Sequence, residues 1–168
     1  MLHMTTMRRF RFLVVFLLLL GAFELPLLVP AVDRHVIVPL NSALTSSAGA
    51  VLRLIGENVR VEGTVIAGSC FAIDLKNGCN GIEATLFLVA AVLAFPAAAR
   101  DRIIAAIAGA AIIQVVNFVR VASLYLLGCY RRSWFDAFHL AVWQSIIFAL
   151  AVGLFMLWTR RVTAAHAR

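Results

Sequence analysis

Motifs that hold metals or shuttle disulfides are missing from this chain. It has three cysteines, Cys70, Cys79 and Cys129, with no C-x-x-C among them and no Cys/His spacing suited to zinc. An odd count leaves at least one thiol free. Charge is scarce too. Asp, Glu, Lys and Arg make up 14% of the residues, 63% are hydrophobic, and mean hydropathy is +0.98. That composition excludes an ordinary soluble domain. Lysine is nearly absent, with a single Lys76 beside fourteen Arg. The net charge of +7 does not point to nucleic acid, because no basic–aromatic interleaving accompanies it. Internal repeats and low-complexity tracts are absent as well.

What is present is a set of long apolar runs. Four segments approach or exceed the ~20 residues that span a hydrocarbon core: Phe10 to Val29, Ile82 to Ala99, Ile103 to Leu127 and Leu140 to Trp158. The first exceeds the roughly 7–15-residue core of a signal peptide and reads as an uncleaved anchor. Arginines flank these runs at Arg8/Arg9/Arg11, Arg100/Arg102 and Arg160/Arg161. The positive-inside rule then puts both termini and the Arg100–Arg102 turn in the cytoplasm. Arg131 and Arg132 break the pattern on the opposite side.

The fold expected is an all-α integral membrane protein of about four transmembrane helices, a single membrane-embedded domain over residues 1–168 with an outer insert at about 31–80. Within the insert, Val36, Leu40, Leu44, Ala48, Val51, Leu52 and Ile55 recur near helical spacing and predict an amphipathic helix on the membrane or bundle. Val59–Ile66 alternates, and Cys70–Leu75 reads as a returning strand, so a small β-hairpin follows. It delivers the chain to Cys79.

Three residues of chemical interest fall near helix ends on the outer side. Asn80, three residues before Glu83, reads as an N-cap for the second helix, and the dipole there would favour negative charge on Cys79. Taken alone, Cys79 reads more readily as a small apolar residue, or as half of a Cys70–Cys79 disulfide. Arg120 lies seventeen residues into the third segment, about 26 Å along its axis at ~1.5 Å per residue. It ends a stripe of Gln114, Asn117 and Arg120 inside an apolar helix, and such groups face a bundle or cavity. His139 opens the fourth helix, with Asp136 three residues earlier in reach of its ring. Thiol, imidazole and guanidinium together would make a cysteine acyl-transfer site.

These residues carry a resemblance to the exosortase/archaeosortase family, especially its short exosortase H-like branch. It rests on Cys79-Asn80-Gly81-Ile82-Glu83-Ala84, on Asn117-Phe118-Val119-Arg120-Val121 and on Phe138-His139 with Trp143-Gln144, over roughly residues 10–158. The resemblance implies a cysteine protease/transpeptidase of the bacterial inner membrane, its site facing the periplasm. Its substrates would be exported proteins with a C-terminal sorting signal: a short motif of Ile-Pro-Thr-Leu type, a membrane helix and a basic tail. In that reading Cys79 is the nucleophile, His139 the acid/base and Arg120 the oxyanion partner, with Asn117, Asn80 and Asp136 in support. No metal or cofactor is expected. Besides the sorting signal and membrane lipid, the partner would be water or an amine on an envelope molecule, not nucleic acid. Two other readings stay open: a thiol oxidoreductase using Cys70, Cys79 and Cys129, and a non-enzymatic assembly subunit.

Overall fold

The computed structural model describes residues 6–166. α1 (Thr6–Glu24) closes in a 3-10 turn, Leu25–Leu28. Val29 then sits extended at ψ 121°, as a residue before proline must. From Pro30 the chain is helical again: α2 (Pro30–Val32), a π-turn (Asp33–Ile37) and α3 (Val38–Leu54) form one run. Three antiparallel strands follow in the order β1 (Val59–Glu62), β2 (Val65–Gly68), β3 (Ala72–Asp74). α4 (Ile82–Ala94), α5 (Ala99–Tyr130), α6 (Arg132–Ala137), a π-turn (Phe138–Val142) and α7 (Trp143–His166) complete the described chain.

Among the described residues four helices are long and apolar enough to cross a membrane: Arg9–Leu28, Pro30–Leu54, Ala99–Tyr130 and Arg132–Ala164. The protein is an all-α multi-pass membrane protein, as expected, but two assignments shift. The expected second crossing, Ile82 to Ala99, is only the 13-residue α4. Phe95 precedes Pro96 and is extended at ψ 137°, which ends the helix early. The insert helix is long enough to span, yet it packs on the sheet and on the far half of α5.

Two cores explain this layout. One joins Leu88 and Val92 of α4, Ile113 of α5, and Ile147 and Ala151 of α7. Phe12 and Phe16 of α1 fasten to it through ring contacts with Phe95, Phe155 and Phe87. The other core joins Ala48 and Leu52 of α3, Val59, Ile66 and Leu75 of the sheet region, and Val121 and Tyr125 of α5. With 32 residues, α5 runs about 48 Å, well beyond a ~30 Å hydrocarbon layer. Its last three turns are therefore the spine of a cap built from α3 and the sheet.

The cap differs from the sequence reading in two respects. The alternating stretch 59–66 is not one strand. Gly63 at φ +58° opens a two-residue loop, so Glu62 pairs with Val65 and the hairpin becomes a three-strand meander. And α3 buries Asn41, Thr45, Ala48, Gly49 and Leu52, leaving Val36, Leu40, Val51 and Ile55 of the anticipated stripe exposed. The buried polar donors find partners in the sheet: Asn41 Nδ2 donates to Leu75 O at 3.1 Å and Thr45 Oγ1 to Gly63 O at 2.7 Å, while Asn41 Oδ1 has no partner among the described residues.

Cys70, in the β2–β3 loop, is disulfide-bonded to Cys129 in the last turn of α5, with Cα atoms 5.1 Å apart. Replacing both by alanine should lower stability by about 2–4 kcal/mol, the usual worth of a loop-closing disulfide. The readout is thermal unfolding in detergent with and without reductant: the wild type should lose stability on reduction and the double variant should not respond.

Candidate active site

Four elements meet where the cap joins the bundle. β3 leads through Leu75 into a turn in which the Cys79 N–H donates to Lys76 O at 3.1 Å. Asn80 and Gly81 then enter α4. Asn80 Oδ1 accepts from the N–H of Ile82 at 3.1 Å, so it does satisfy an orphan donor of the helix start. The cap position itself is Gly81, one residue later than expected, and Asn80 and Glu83 do not form a capping box. Gly81 has φ +72°, and a Cβ there would meet Asn117 Cγ at 3.0 Å. Gly81→Ala should therefore cost about 1–2 kcal/mol through backbone strain alone and push Asn117 back. Thermal unfolding measures this, with Gly21→Ala as the control, because Gly21 has open space around its Cα.

Cys79 is a free thiol and half-buried. Its sulfur lies 3.3 Å from His139 Nε2. Arg120, 2% exposed, is a direct neighbour of the Cys79 side chain. All three line a cleft of about 270 Å³, together with Ile73, Leu75 and Lys76, the chain's single lysine. The residues singled out on three separate elements thus converge at one cleft.

The supporting residues divide. Asn80 and Asn117 are completely buried and lie behind the cleft wall, not in it. Asn117 Oδ1 and Nδ2, Asn80 Nδ2 and Arg120 Nε have no hydrogen-bond partner. Leaving such atoms unpaired costs about 1–3 kcal/mol each. Asp136 is exposed and makes no hydrogen bond to His139; it acts on the ring through charge alone. The helix does start early, at Arg132, but the side chain on the imidazole is Phe135, four residues before it. The two rings pack at a tilt of 31° with centroids 5.4 Å apart, and Phe71 meets Phe135 edge-on at 4.9 Å.

Phe71, Phe135 and Lys76 were not singled out as site residues from the sequence; the i,i+4 spacing to His139 is a signal for Phe135 alone. Glu83 is close enough to act on Arg120 through charge, and Glu24 of α1 in turn faces Glu83. Cys70 and Cys129 pair with each other, which leaves Cys79 outside any disulfide.

The chain matches the transmembrane exosortase (Exosortase_EpsH) family over residues 1–158 of its 168. It belongs to that family. No curated protein and no solved structure matches it. The match spans both cores and every cleft residue of this exosortase, from Ile73 to His139. It ends at Trp158, before the Arg160–Arg161 pair.

Proposed function

We propose that this exosortase is a membrane cysteine protease/transpeptidase that cleaves exported proteins carrying a C-terminal motif, membrane helix and basic tail. The observation that carries the proposal is the 3.3 Å approach of Cys79 Sγ to His139 Nε2 in a cleft shared with Arg120. The sulfur attacks the scissile carbonyl carbon as its proton passes to His139. The carbonyl oxygen takes up negative charge, which the buried Arg120 guanidinium stabilises. Collapse breaks the C–N bond, and His139 returns the proton to the departing amine. Water or an acceptor amine then attacks the thioester, giving its proton to His139 and releasing Cys79. Asn117, packed under Gly81 one turn from Arg120, fixes the α4–α5 distance and so the height of Arg120.

We assign the site to the periplasmic face of the bacterial inner membrane and both termini to the cytoplasm. α4 and α7 begin at the site and run away from it, and α5 runs toward it. The Phe12–Phe95 and Phe16–Phe87 contacts set α1 antiparallel to α4, so α1 also starts at the far end. All three Arg clusters then fall opposite the site, as the positive-inside rule requires. The disulfide lies at the site end, which fits an oxidising compartment. Labelling of single introduced cysteines should find residues 31–80 and 128–138 accessible from outside and 100–102 only from inside. Outside labelling at 100–102 would invert the orientation and end the sorting model.

A further inference from the structure

β3 is the last strand of its sheet and has a neighbour on one side only. In the β2–β3 ladder the bonded pairs are Gly68 with Phe71, Ile66 with Ile73 and Thr64 with Leu75. Ala72 and Asp74, which alternate with them, therefore turn their backbone N–H and C=O groups away from β2. No backbone or side-chain group of the described residues pairs with those groups. A short strand ending in Asp74, with Lys76 just beyond it, has the marks of a protected edge. Its position says otherwise. Ile73, Asp74, Leu75 and Lys76, four consecutive residues, wall the cleft that also holds Cys79, Arg120 and His139. The rest of its lining is Phe135 and His139 together with Arg120, Val121 and Leu124 of α5.

We propose that the free edge of β3 is the binding site for the substrate's backbone: an extended peptide adds as a fourth strand, hydrogen-bonded to Ala72 and Asp74, and so presents its scissile carbonyl to Cys79. This rests on the cysteine-protease reading and adds the manner of recognition. A strand-added peptide is held through its main chain, and its side chains point alternately in and out. Only four residues separate Asp74 from Cys79 in sequence, so the edge leads directly to the sulfur. The cleft's volume, about 270 Å³, is just below the ordinary range for small-molecule sites. It suits the few residues around a scissile bond and not a folded partner.

The test uses the full-length protein in nanodiscs and measures alkylation of Cys79 by mass spectrometry. The probes are iodoacetamide and a series of acetyl-oligoalanyl chloromethyl ketones, in which the sulfur displaces chloride and forms a thioether. Relative to iodoacetamide, the rate should rise with peptide length. Methylating one amide at a time should lower it about tenfold at alternate positions and little between them. Asp74→Pro, which removes a backbone donor from the free edge and none from the β2 ladder, should lower the rate of the unmethylated peptide similarly. Because proline at 74 could disturb the sheet, the methylation series stands as the independent arm. Length dependence without the alternating pattern, or no length dependence, would overturn strand addition while leaving the cysteine-protease reading intact. A Cys79 that reacts with neither reagent type would overturn both.

Discussion

Cys79→Ala should abolish processing of a co-expressed substrate while the protein still accumulates in the membrane. No other thiol lines the cleft, and Cys70 and Cys129 are tied to each other. Cys79→Ser should be nearly as inactive, because a hydroxyl is a far weaker nucleophile without further activation. The contrast is the Cys70→Ala/Cys129→Ala double variant, which should keep most of its activity at temperatures where it stays folded. Processing is read by gel shift and accumulation by immunoblot of the membrane fraction. A double variant that is inactive though folded, with Cys79 found oxidised in the wild type, would instead favour thiol redox chemistry.

Arg120→Lys should fold and insert yet turn over on the order of 10²–10³-fold more slowly, the usual effect of losing one oxyanion donor. The side chain is 2% exposed and approaches the sulfur from α5, so its geometry is fixed by the helix that carries it. Lysine keeps the charge but not the planar fork, and its shorter head group would sit back from the cleft. Arg131→Lys and Arg132→Lys, both exposed, should be tolerated. Single-turnover cleavage of a helix-tagged substrate in nanodiscs measures this, with insertion checked separately. Wild-type rates for Arg120→Lys would reduce the site to Cys79 and His139.

The parts legible in the sequence were those where composition and position act alone. Polar groups within apolar helices must face inward, which singled out Asn117 and Arg120. A histidine and a cysteine at helix ends flag themselves by contrast with their surroundings. What stayed hidden depended on contacts between elements. Hydropathy carried the second crossing through to Ala99, although Pro96 was in view and its predecessor had to leave the helix. The meander turned on Gly63, which an unbroken alternation of 59–66 passed over. α3 buried Asn41 and Thr45 because loop carbonyls of the sheet were there to receive them, and no apolar periodicity can report that. The choice of Cys129 as the partner of Cys70 rested on a Cα approach across 59 residues. Asp136 had the right helical spacing to His139, but Phe135, one position earlier, took the place against the ring.

The covalent intermediate is the most direct point at which to test the account. A synthetic substrate with an Ile-Pro-Thr-Leu motif, a membrane helix and a basic tail would be mixed with the protein in nanodiscs, quenched in acid within one turnover and digested for mass spectrometry. The account predicts an adduct on the peptide containing Cys79, equal in mass to the substrate's N-terminal fragment less one water and removed by hydroxylamine. Cleavage of that substrate with no acyl group on Cys79, and continuing in Cys79→Ala, would contradict it.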